Sequence, residues 1–185
     1  LTKEKKRCTK KGIKRGLIAE FPLSVWFCGL HQDRLFSADD VQTISQSEAD
    51  QAYAIAKSVV DHPTAAALLA GCDEFQLSAV WQDNNLTCKG RFDGLSTSLK
   101  TIIDLKTTID ASPHTFMRSI YNHSYHCQAA MYHRAAEKLN LDVQHFVIIA
   151  VEKEPPYAVA IYRLNEYCID YGKKELLRWL DLYEQ

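Results

Sequence analysis

Gly90-Arg91-Phe92-Asp93-Gly94 is followed, after nine residues, by Asp104-Leu105-Lys106-Thr107-Thr108, and these two segments carry most of the information in the sequence. Residues 101–106 are rich in β-branched and aliphatic side chains, which predicts a strand. On a strand, side chains two positions apart project from the same face. Asp104 and Lys106 are therefore expected to project together, with the intervening leucine turned towards the core.

The preceding strand is predicted over residues 86–95, where Arg91 and Asp93 share a face by the same rule. Turn-forming residues lie on both sides of this strand, so the two strands are expected to form a hairpin. Across that hairpin, Asp93 and Asp104 would meet and bind a hard divalent cation through carboxylate oxygens. Lys106 would lie beside the ion and orient or deprotonate a water. Two acids and a lysine in this arrangement are typical of metal-dependent nucleases.

Length and charge set the expected organisation. The chain has 185 residues, of which 46% are hydrophobic, so one domain with one core is expected. Eight of the 22 Lys and Arg residues, but only one of the 23 acidic residues, lie in residues 1–16. We therefore expect a basic, irregular segment over residues 1–36 and an acidic nuclease domain over residues 37–185. The basic arm would attract phosphate, and a solvated tail is the alternative.

Cysteine usage and hydropathy indicate where the protein works. The six cysteines are scattered and form no C-x-x-C pair, which argues against a zinc ribbon or an iron–sulfur cluster. Reduced thiols in a chain of this size predict a cytoplasmic protein. Residues 17–30 are apolar, but Glu20 and Pro22 interrupt them and the stretch is too short to cross a bilayer. This stretch therefore predicts no membrane partner. Because the chain begins with Leu, we also expect a processed or excised piece.

Helices and strands can be placed along the rest of the chain. Ser45-Gln46-Ser47-Glu48 predicts a capping box that opens a helix, and Pro63 predicts the start of a second. The apolar run over residues 145–151 predicts a strand covered on both faces. The remaining predictions are strands over 75–82 and 157–164, helices from Pro113 and over 125–139, and a last helix capped by Asn165. This order predicts an α/β fold, with a mixed central sheet flanked by helices.

Four segments, in order, resemble the PD-(D/E)xK nuclease superfamily and, within it, the exonuclease VIII (RecE-type) phage recombination nucleases. The first two are residues 90–93, similar to the family's first metal-binding acid, and residues 104–108, similar to its second acid and catalytic lysine. Residues 125–132 resemble its Y-x-x-Q-x-x-x-Y helix, and residues 146–157 the strand and Pro-Tyr turn that follow. The acid-x-lysine triplet at residues 104–106 would be weak evidence alone, whereas four segments in the family's order are specific.

The resemblance implies a restriction-endonuclease-like (PD-(D/E)xK) core and a Mg²⁺-dependent exodeoxyribonuclease, with Mn²⁺ as the alternative ion. Such an enzyme would degrade one strand of linear double-stranded DNA from its 5′ end. The remaining 3′ single-stranded tails would pass to a single-strand annealing protein in recombination. The resemblance also implies a ring-shaped homo-oligomer.

The resemblance assigns roles to individual residues at the metal site. Asp93, Asp104 and the Leu105 carbonyl oxygen would be the metal ligands, and Lys106 the catalytic lysine. Surface or turn carboxylates are the alternative for both aspartates. Glu74, just before a predicted strand, would either support the metal through water or lie at a solvent-exposed rim.

Further residues would contact DNA or complete the catalytic set. Gln128 and Tyr132 lie four residues apart and share a helix face with Tyr125. The family's pattern places Gln128 and Tyr132 in the catalytic set, over the DNA strand or near the lysine. A polar rim on an amphipathic helix is the alternative. Tyr125, Arg91 and Arg118 are the expected DNA-binding residues, with a structural ion pair to an aspartate as the alternative for Arg91.

One family feature has no clear counterpart. The family carries a histidine on a helix well upstream of the first acid, and His31 matches it only superficially. His62 precedes Pro63, where packing or capping is expected. His123, His126 and His133 lack the cysteine or acid that would complete a zinc spacing. The missing histidine leaves a second interpretation open, a non-catalytic DNA-binding or ring-forming remnant of the same fold.

Overall fold

The computed structural model describes residues 45–83 and 85–183. The expected segment over residues 1–36, its boundary with residue 37, and His31 lie outside these residues. The chain divides into two compact units, residues 1–57 and residues 58–185. Of the first unit, the structure describes residues 45–57, which begin helix α1; the second unit contains the sheet and the other helices described here.

The helices and strands agree closely with the sequence prediction. In chain order the described elements are α1 (Gln46–Asp61), α2 (Pro63–Ala70), β1 (Glu74–Asp83), β2 (Leu86–Ser96), β3 (Thr101–Thr108), α3 (Pro113–Asn122), α4 (Tyr125–Lys138), β4 (His145–Glu152), β5 (Val159–Arg163) and α5 (Glu166–Tyr183). The strand predicted over 157–164 is shorter than expected. Tyr157 adopts a left-handed φ of 58° and closes a turn on Glu154, so it cannot continue the ladder.

Helix caps follow the expected local chemistry. The Glu48 amide donates to Ser45 Oγ at 3.2 Å, and the Ser45 amide donates to Glu48 Oε2 at 2.7 Å, which confirms the capping box of α1. Asn165 Oδ1 accepts from the Cys168 amide at 2.9 Å, so the predicted cap of α5 is also confirmed. None of the described helices is long and apolar enough to span a bilayer.

A five-stranded sheet, in the order β1-β2-β3-β4-β5, forms the centre of the second unit. Strands β3 and β4 are parallel and the other neighbours are antiparallel, so the sheet is mixed as predicted. Helices α3 and α4 form the crossover that a parallel pair requires. Six of the eight residues of β4 are buried, as expected for a strand covered on both faces.

Strands β2 and β3 form a fork. They pair only where residues 94–96 face residues 101–103, whereas β1 pairs with β2 along most of its length, with a break in the ladder at Gln76 and Asp93. Asp93 lies at the point where β2 leaves β3. A Cβ atom at Gly94 would approach Cys72 Sγ to 2.9 Å, so a larger residue at this position would have to displace the Cys72 side chain.

Helix α4 covers one face of the sheet above the fork. The Tyr132 ring lies 4.9 Å from the Phe92 ring and 6.1 Å from the Phe146 ring, centroid to centroid. Both phenylalanines are fully buried, with Ile102 and Ile148 in the same core. Their burial fixes the position of the helix and therefore of the polar side chains that it directs at the fork.

Candidate active site

The two predicted acids and the lysine converge at the fork. Lys106 Nζ lies 2.7 Å from Asp104 Oδ2, and Asp93 Oδ2 accepts a hydrogen bond from the Leu105 amide at 3.0 Å. Asp104 is 1% exposed, so its carboxylate is removed from bulk water. The expectation that Asp93 and Asp104 meet across the hairpin therefore agrees with their placement, although the contact of Asp93 is with the backbone next to Asp104.

The fork explains why Asp93 reaches that backbone. Because β2 has left β3 at this point, the Leu105 amide lacks a ladder partner, and a buried amide must find one. The Asp93 carboxylate takes that place. On a strand, the amide and carbonyl of one residue project to the same side, so the Leu105 carbonyl also faces the fork. Leu105 itself is half-buried.

Gln76 on β1 is a site residue that the sequence analysis missed. Its Nε2 donates to Asp93 Oδ1 at 3.1 Å, which fixes the second oxygen of that carboxylate. Gln76 has a left-handed φ of 53°, a conformation that a glutamine rarely adopts. Nothing in the local sequence indicates this conformation, which coincides with a break in the β1–β2 ladder at Gln76 and Asp93.

Helix α4 directs two of the predicted residues at this site. Gln128 Nε2 donates to Asp104 Oδ1 at 2.8 Å, so Gln128 orients the buried carboxylate. The Tyr132 hydroxyl donates to the Arg91 carbonyl at 2.7 Å and is thus directed at β2 rather than at Lys106. The shared helix face was predicted from the four-residue spacing, and the structure divides its two polar groups between two strands.

Lys106 has an aromatic neighbour as well as an acidic one. Its Nζ lies 4.8 Å from the centroid of the Tyr125 ring, within the range of a cation–π contact. Tyr125, the first residue of α4, is half-buried. The ammonium is therefore held between a carboxylate and an aromatic face.

Burial makes the carboxylates hard to ionise. Burial, partly offset by Lys106 and reinforced by the charge of Asp93, raises the pKa of Asp104 to about 6. Burial also raises the pKa of Asp93, against the Leu105 amide and the charge of Lys106. For Lys106, burial alone would lower the pKa, but Asp104 and Asp93 outweigh it and hold the pKa above its usual value.

This donor set fits a hard divalent cation. Two buried carboxylates with raised pKa values repel each other, and a cation between them would relieve that repulsion. Within residues 45–83 and 85–183, no three His, Cys, Asp or Glu side chains cluster to hold a metal. The Leu105 carbonyl is the third protein ligand that the resemblance implies, and an all-oxygen set of this size suits Mg²⁺, which keeps several waters.

The other predicted contacts lie around this centre. The Arg91 charge favours the ionised form of Asp93, so Arg91 lies near that carboxylate. Arg118 is exposed on α3, with Nη2 3.5 Å from His114 Nε2. Glu74 is exposed at the start of β1, which corresponds to the rim position.

The histidines have other contacts. His62 is the N-cap of α2, where its Nδ1 accepts from the Ala65 amide at 3.2 Å, so the capping role is confirmed. His126 is buried and its Nδ1 lies 3.2 Å from the Ile120 carbonyl oxygen.

Comparison with solved structures supports the fold. A protein from Eubacterium rectale named “Putative exonuclease” matches with a TM-score of 0.59 and 15% identity, over 93% of this chain and 66% of that chain. The chain thus spans slightly less than two thirds of that protein. A second structure, of SSO0001, matches 71% of this chain and 64% of its own with 14% identity, but its TM-score of 0.36 carries no argument.

Sequence comparison identifies the family. No curated protein matches the chain. A family model described as “PDDEXK-like domain of unknown function (DUF3799)” matches residues 25–185, which include every strand of the sheet and the whole fork. The mixed sheet flanked by helices is therefore a restriction-endonuclease-like core, and the chain belongs to the DUF3799 family of PDDEXK-like domains.

Proposed function

We propose that this protein is a metal-dependent deoxyribonuclease that hydrolyses phosphodiester bonds at the fork between β2 and β3. The observation that carries the proposal is that Asp93 contacts the amide of Leu105, between Asp104 and Lys106, whose side chains are paired. Membership of a PDDEXK-like family supports the same reaction class. The resemblance to exonuclease VIII extends the proposal to an exonuclease acting on linear double-stranded DNA.

Asp93, Asp104 and the Leu105 carbonyl would hold Mg²⁺, with Mn²⁺ as the alternative ion. When bound, the ion would neutralise charge on the scissile phosphate and lower the pKa of a bound water. Gln76 and Gln128 fix one oxygen of Asp93 and of Asp104, respectively, so that the two carboxylates are oriented before substrate arrives.

Lys106 would act on the phosphate and on the attacking water. In the protein alone its ammonium is paired with Asp104 and lies over the Tyr125 ring. With Asp104 engaged as a metal ligand, the Lys106 ammonium would be available to turn towards the phosphate. There it would orient the water for in-line attack and offset the charge that develops in the transition state.

DNA would approach from the side of α3 and α4. Tyr125 and exposed Arg118 are the proposed contacts on that side, and Arg91 the proposed contact on β2. Because residues 17–185 carry 14 basic and 22 acidic residues, attraction of DNA would depend on these local cations and on the basic residues 1–16.

The decisive experiment is digestion of end-labelled linear duplex with Mg²⁺, with Mn²⁺ and with EDTA. We expect metal-dependent release of nucleotides by the wild type and loss of release in Lys106→Ala. Lys89→Ala, which removes an exposed lysine of neighbouring strand β2, is the matched control and should retain activity. Equal release by Lys106→Ala and wild type would refute the proposed site.

The finer features come from the resemblance and need their own measurements. We propose 5′ to 3′ digestion that leaves 3′ tails, a ring-shaped homo-oligomer, and work in the cytoplasm with a single-strand annealing protein during phage recombination. Labelling the 5′ and 3′ ends separately tests the polarity, and light scattering tests the oligomer. A catalytically inactive remnant is the competing function, and it predicts DNA binding without hydrolysis under all metal conditions.

A further inference from the structure

An exposed histidine extends the aromatic surface beside Lys106. The His123 ring stacks on the Tyr125 ring, with centroids 5.4 Å apart and an interplanar angle of 30°. Lys106 Nζ lies 4.8 Å from the centroid of the same Tyr125 ring. The ammonium, the Tyr125 ring and the His123 ring therefore form a continuous series that leads outward from the fork.

The position of the His123 ring is not explained by its structural role. His123 is the C-cap residue of α3, but the cap is made by the backbone: the His123 amide donates to the Ser119 carbonyl and the Ser124 amide donates to the Tyr121 carbonyl. Ser124, which follows, has a left-handed φ of 55° and turns the chain directly into α4. This turn brings the rings of His123 and Tyr125, which are separated by one residue, into contact, and His123 is exposed.

From this arrangement the geometry points to His123 and Tyr125 as a stacking platform for the nucleobase next to the scissile phosphate. The inference rests on the proposed function, because Lys106 marks the position of that phosphate. Aromatic side chains stack on any base, since every base has a π-face, so the platform would be tolerant of sequence. Its ligand is an unpaired nucleotide, because bases inside a duplex have both faces covered by their neighbours.

The inference therefore specifies the substrate: a strand end that is unpaired at the site. At a blunt duplex end only the outer face of the terminal base is exposed, so the end must fray before the next base along the strand can reach the platform. A splayed end, with its last few nucleotides unpaired, needs no such step. We expect the protein to prefer splayed over blunt ends, and His123 to be the residue on which this preference depends.

Binding measured without hydrolysis gives the first test. A single-stranded oligonucleotide carries 2-aminopurine at one of its three terminal positions, with Ca²⁺ in place of Mg²⁺, and stacking quenches its fluorescence. We expect quenching at one position with the wild type, loss of quenching with His123→Ala, and recovery with His123→Phe. Tyr167→Ala, which removes a ring that is 87% exposed on α5, should behave as the wild type.

Hydrolysis of an abasic substrate gives the second test. In Mg²⁺, an abasic site next to the cleaved bond should raise KM for the wild type by about 5- to 100-fold, as His123→Ala should on intact DNA. The two changes should not add, because each removes one partner of the same stack. The thermal midpoint of His123→Ala should equal that of the wild type, since the cap is made by the backbone.

The outcomes separate the two proposals. Hydrolysis that is unaffected by His123→Ala and by the abasic site would overturn the platform and leave the nuclease standing. Position-specific quenching without any hydrolysis would overturn the nuclease and support base stacking at His123 without a scissile phosphate beside it. The absence of quenching at every position with the wild type would overturn the platform regardless of activity.

Discussion

Asp83 and Asp104 lie in the same sheet, at 2% and 1% exposure, yet their pKa values move in opposite directions. Asp83, at the closed end of the β1–β2 hairpin, receives two hydrogen bonds from Arg134 of α4, and these lower its pKa despite burial. Asp104, at the fork, has its pKa raised to about 6 by burial, beside a second carboxylate.

The two sites differ in which influence on the carboxylate is larger, burial at Asp104 and hydrogen bonding at Asp83. At the closed end of the hairpin, the Asp83 carboxylate forms two hydrogen bonds with the Arg134 guanidinium, so its charge is neutralised. At the fork, Lys106 pairs with Asp104 and the Arg91 charge acts on Asp93, yet burial outweighs both cations and the pKa values of the two carboxylates stay raised. A buried aspartate with a complete partner stabilises the fold, whereas one with an incomplete partner is suited to binding a cation.

The largest expected effect separates the sites by activity. Asp104→Asn keeps the size of the side chain but removes a proposed ligand charge, so we expect turnover to fall about 1,000-fold or more. Asp83→Asn should retain turnover per folded molecule. The measurement is nucleotide release under saturating Mg²⁺, with the folded fraction checked by circular dichroism. Comparable turnover in Asp104→Asn and Asp83→Asn would remove the functional contrast between the two sites.

Asp83→Asn, which should have little effect on turnover, should lower the unfolding free energy. Asp83→Asn leaves Arg134 without its carboxylate, and because that side chain is 28% exposed we expect a loss of about 1–3 kcal/mol in unfolding free energy. Asp142→Asn is the matched control, since it breaks an exposed ion pair with Lys100 and should change stability by less than about 1 kcal/mol. Urea unfolding measures both. Equal losses would mean that the Asp83 pair is no more than a surface contact.

Mg²⁺ should stabilise the folded protein by binding at the fork and not at the Asp83 site. Mg²⁺ at about ten times its dissociation constant should add roughly 1.4 kcal/mol and raise the thermal midpoint by about 3–6 °C. The shift should disappear in Asp93→Asn and Asp104→Asn and persist in Asp83→Asn. Differential scanning fluorimetry with and without EDTA provides the comparison. A shift that survives in both fork variants would place the cation elsewhere.

The smallest effect is the pH dependence of the Asp83 pair. Its pKa in the folded protein lies below the ordinary value of 3.8, so its ionised form contributes stability above that pH. This contribution is lost as the pH falls through the folded-state pKa. The stability difference between wild type and Asp83→Asn should therefore shrink below pH 4, by at most roughly 1.4 kcal/mol per pH unit. A difference that is constant from pH 7 to pH 3 would contradict the pKa shift.

Much of the architecture is determined locally, and the sequence was sufficient for it. The alternation of Asp104, Leu105 and Lys106 places acid and lysine on one face of any strand. The capping box at Ser45 and the cap at Asn165 depend on residues three positions apart, which sequence reading can recognise. The spacing of Gln128 and Tyr132 likewise fixed their shared helix face.

Contacts that depend on register between distant strands were not accessible in this way. The Gln76 contact with Asp93 joins residues 17 positions apart, and the Asp83–Arg134 pair joins residues 51 apart. All four of these residues are of types that are common on protein surfaces, so the sequence does not mark them as partners. Only the pairing of β1 with β2, and the packing of α4 on them, brings these groups together.

The sequence by itself determined which residue types this protein offers to a cation and the strand on which two of them alternate, because strand periodicity is a property of the local backbone. Tertiary structure alone decided that β2 leaves β3 at Asp93, that the Leu105 amide and carbonyl face the resulting gap, and that the Tyr125 ring lies beside Lys106. These features depend on how a sheet and two helices pack together. Burial then raises the pKa of Asp104, whereas the hydrogen bonds from Arg134 lower the pKa of Asp83.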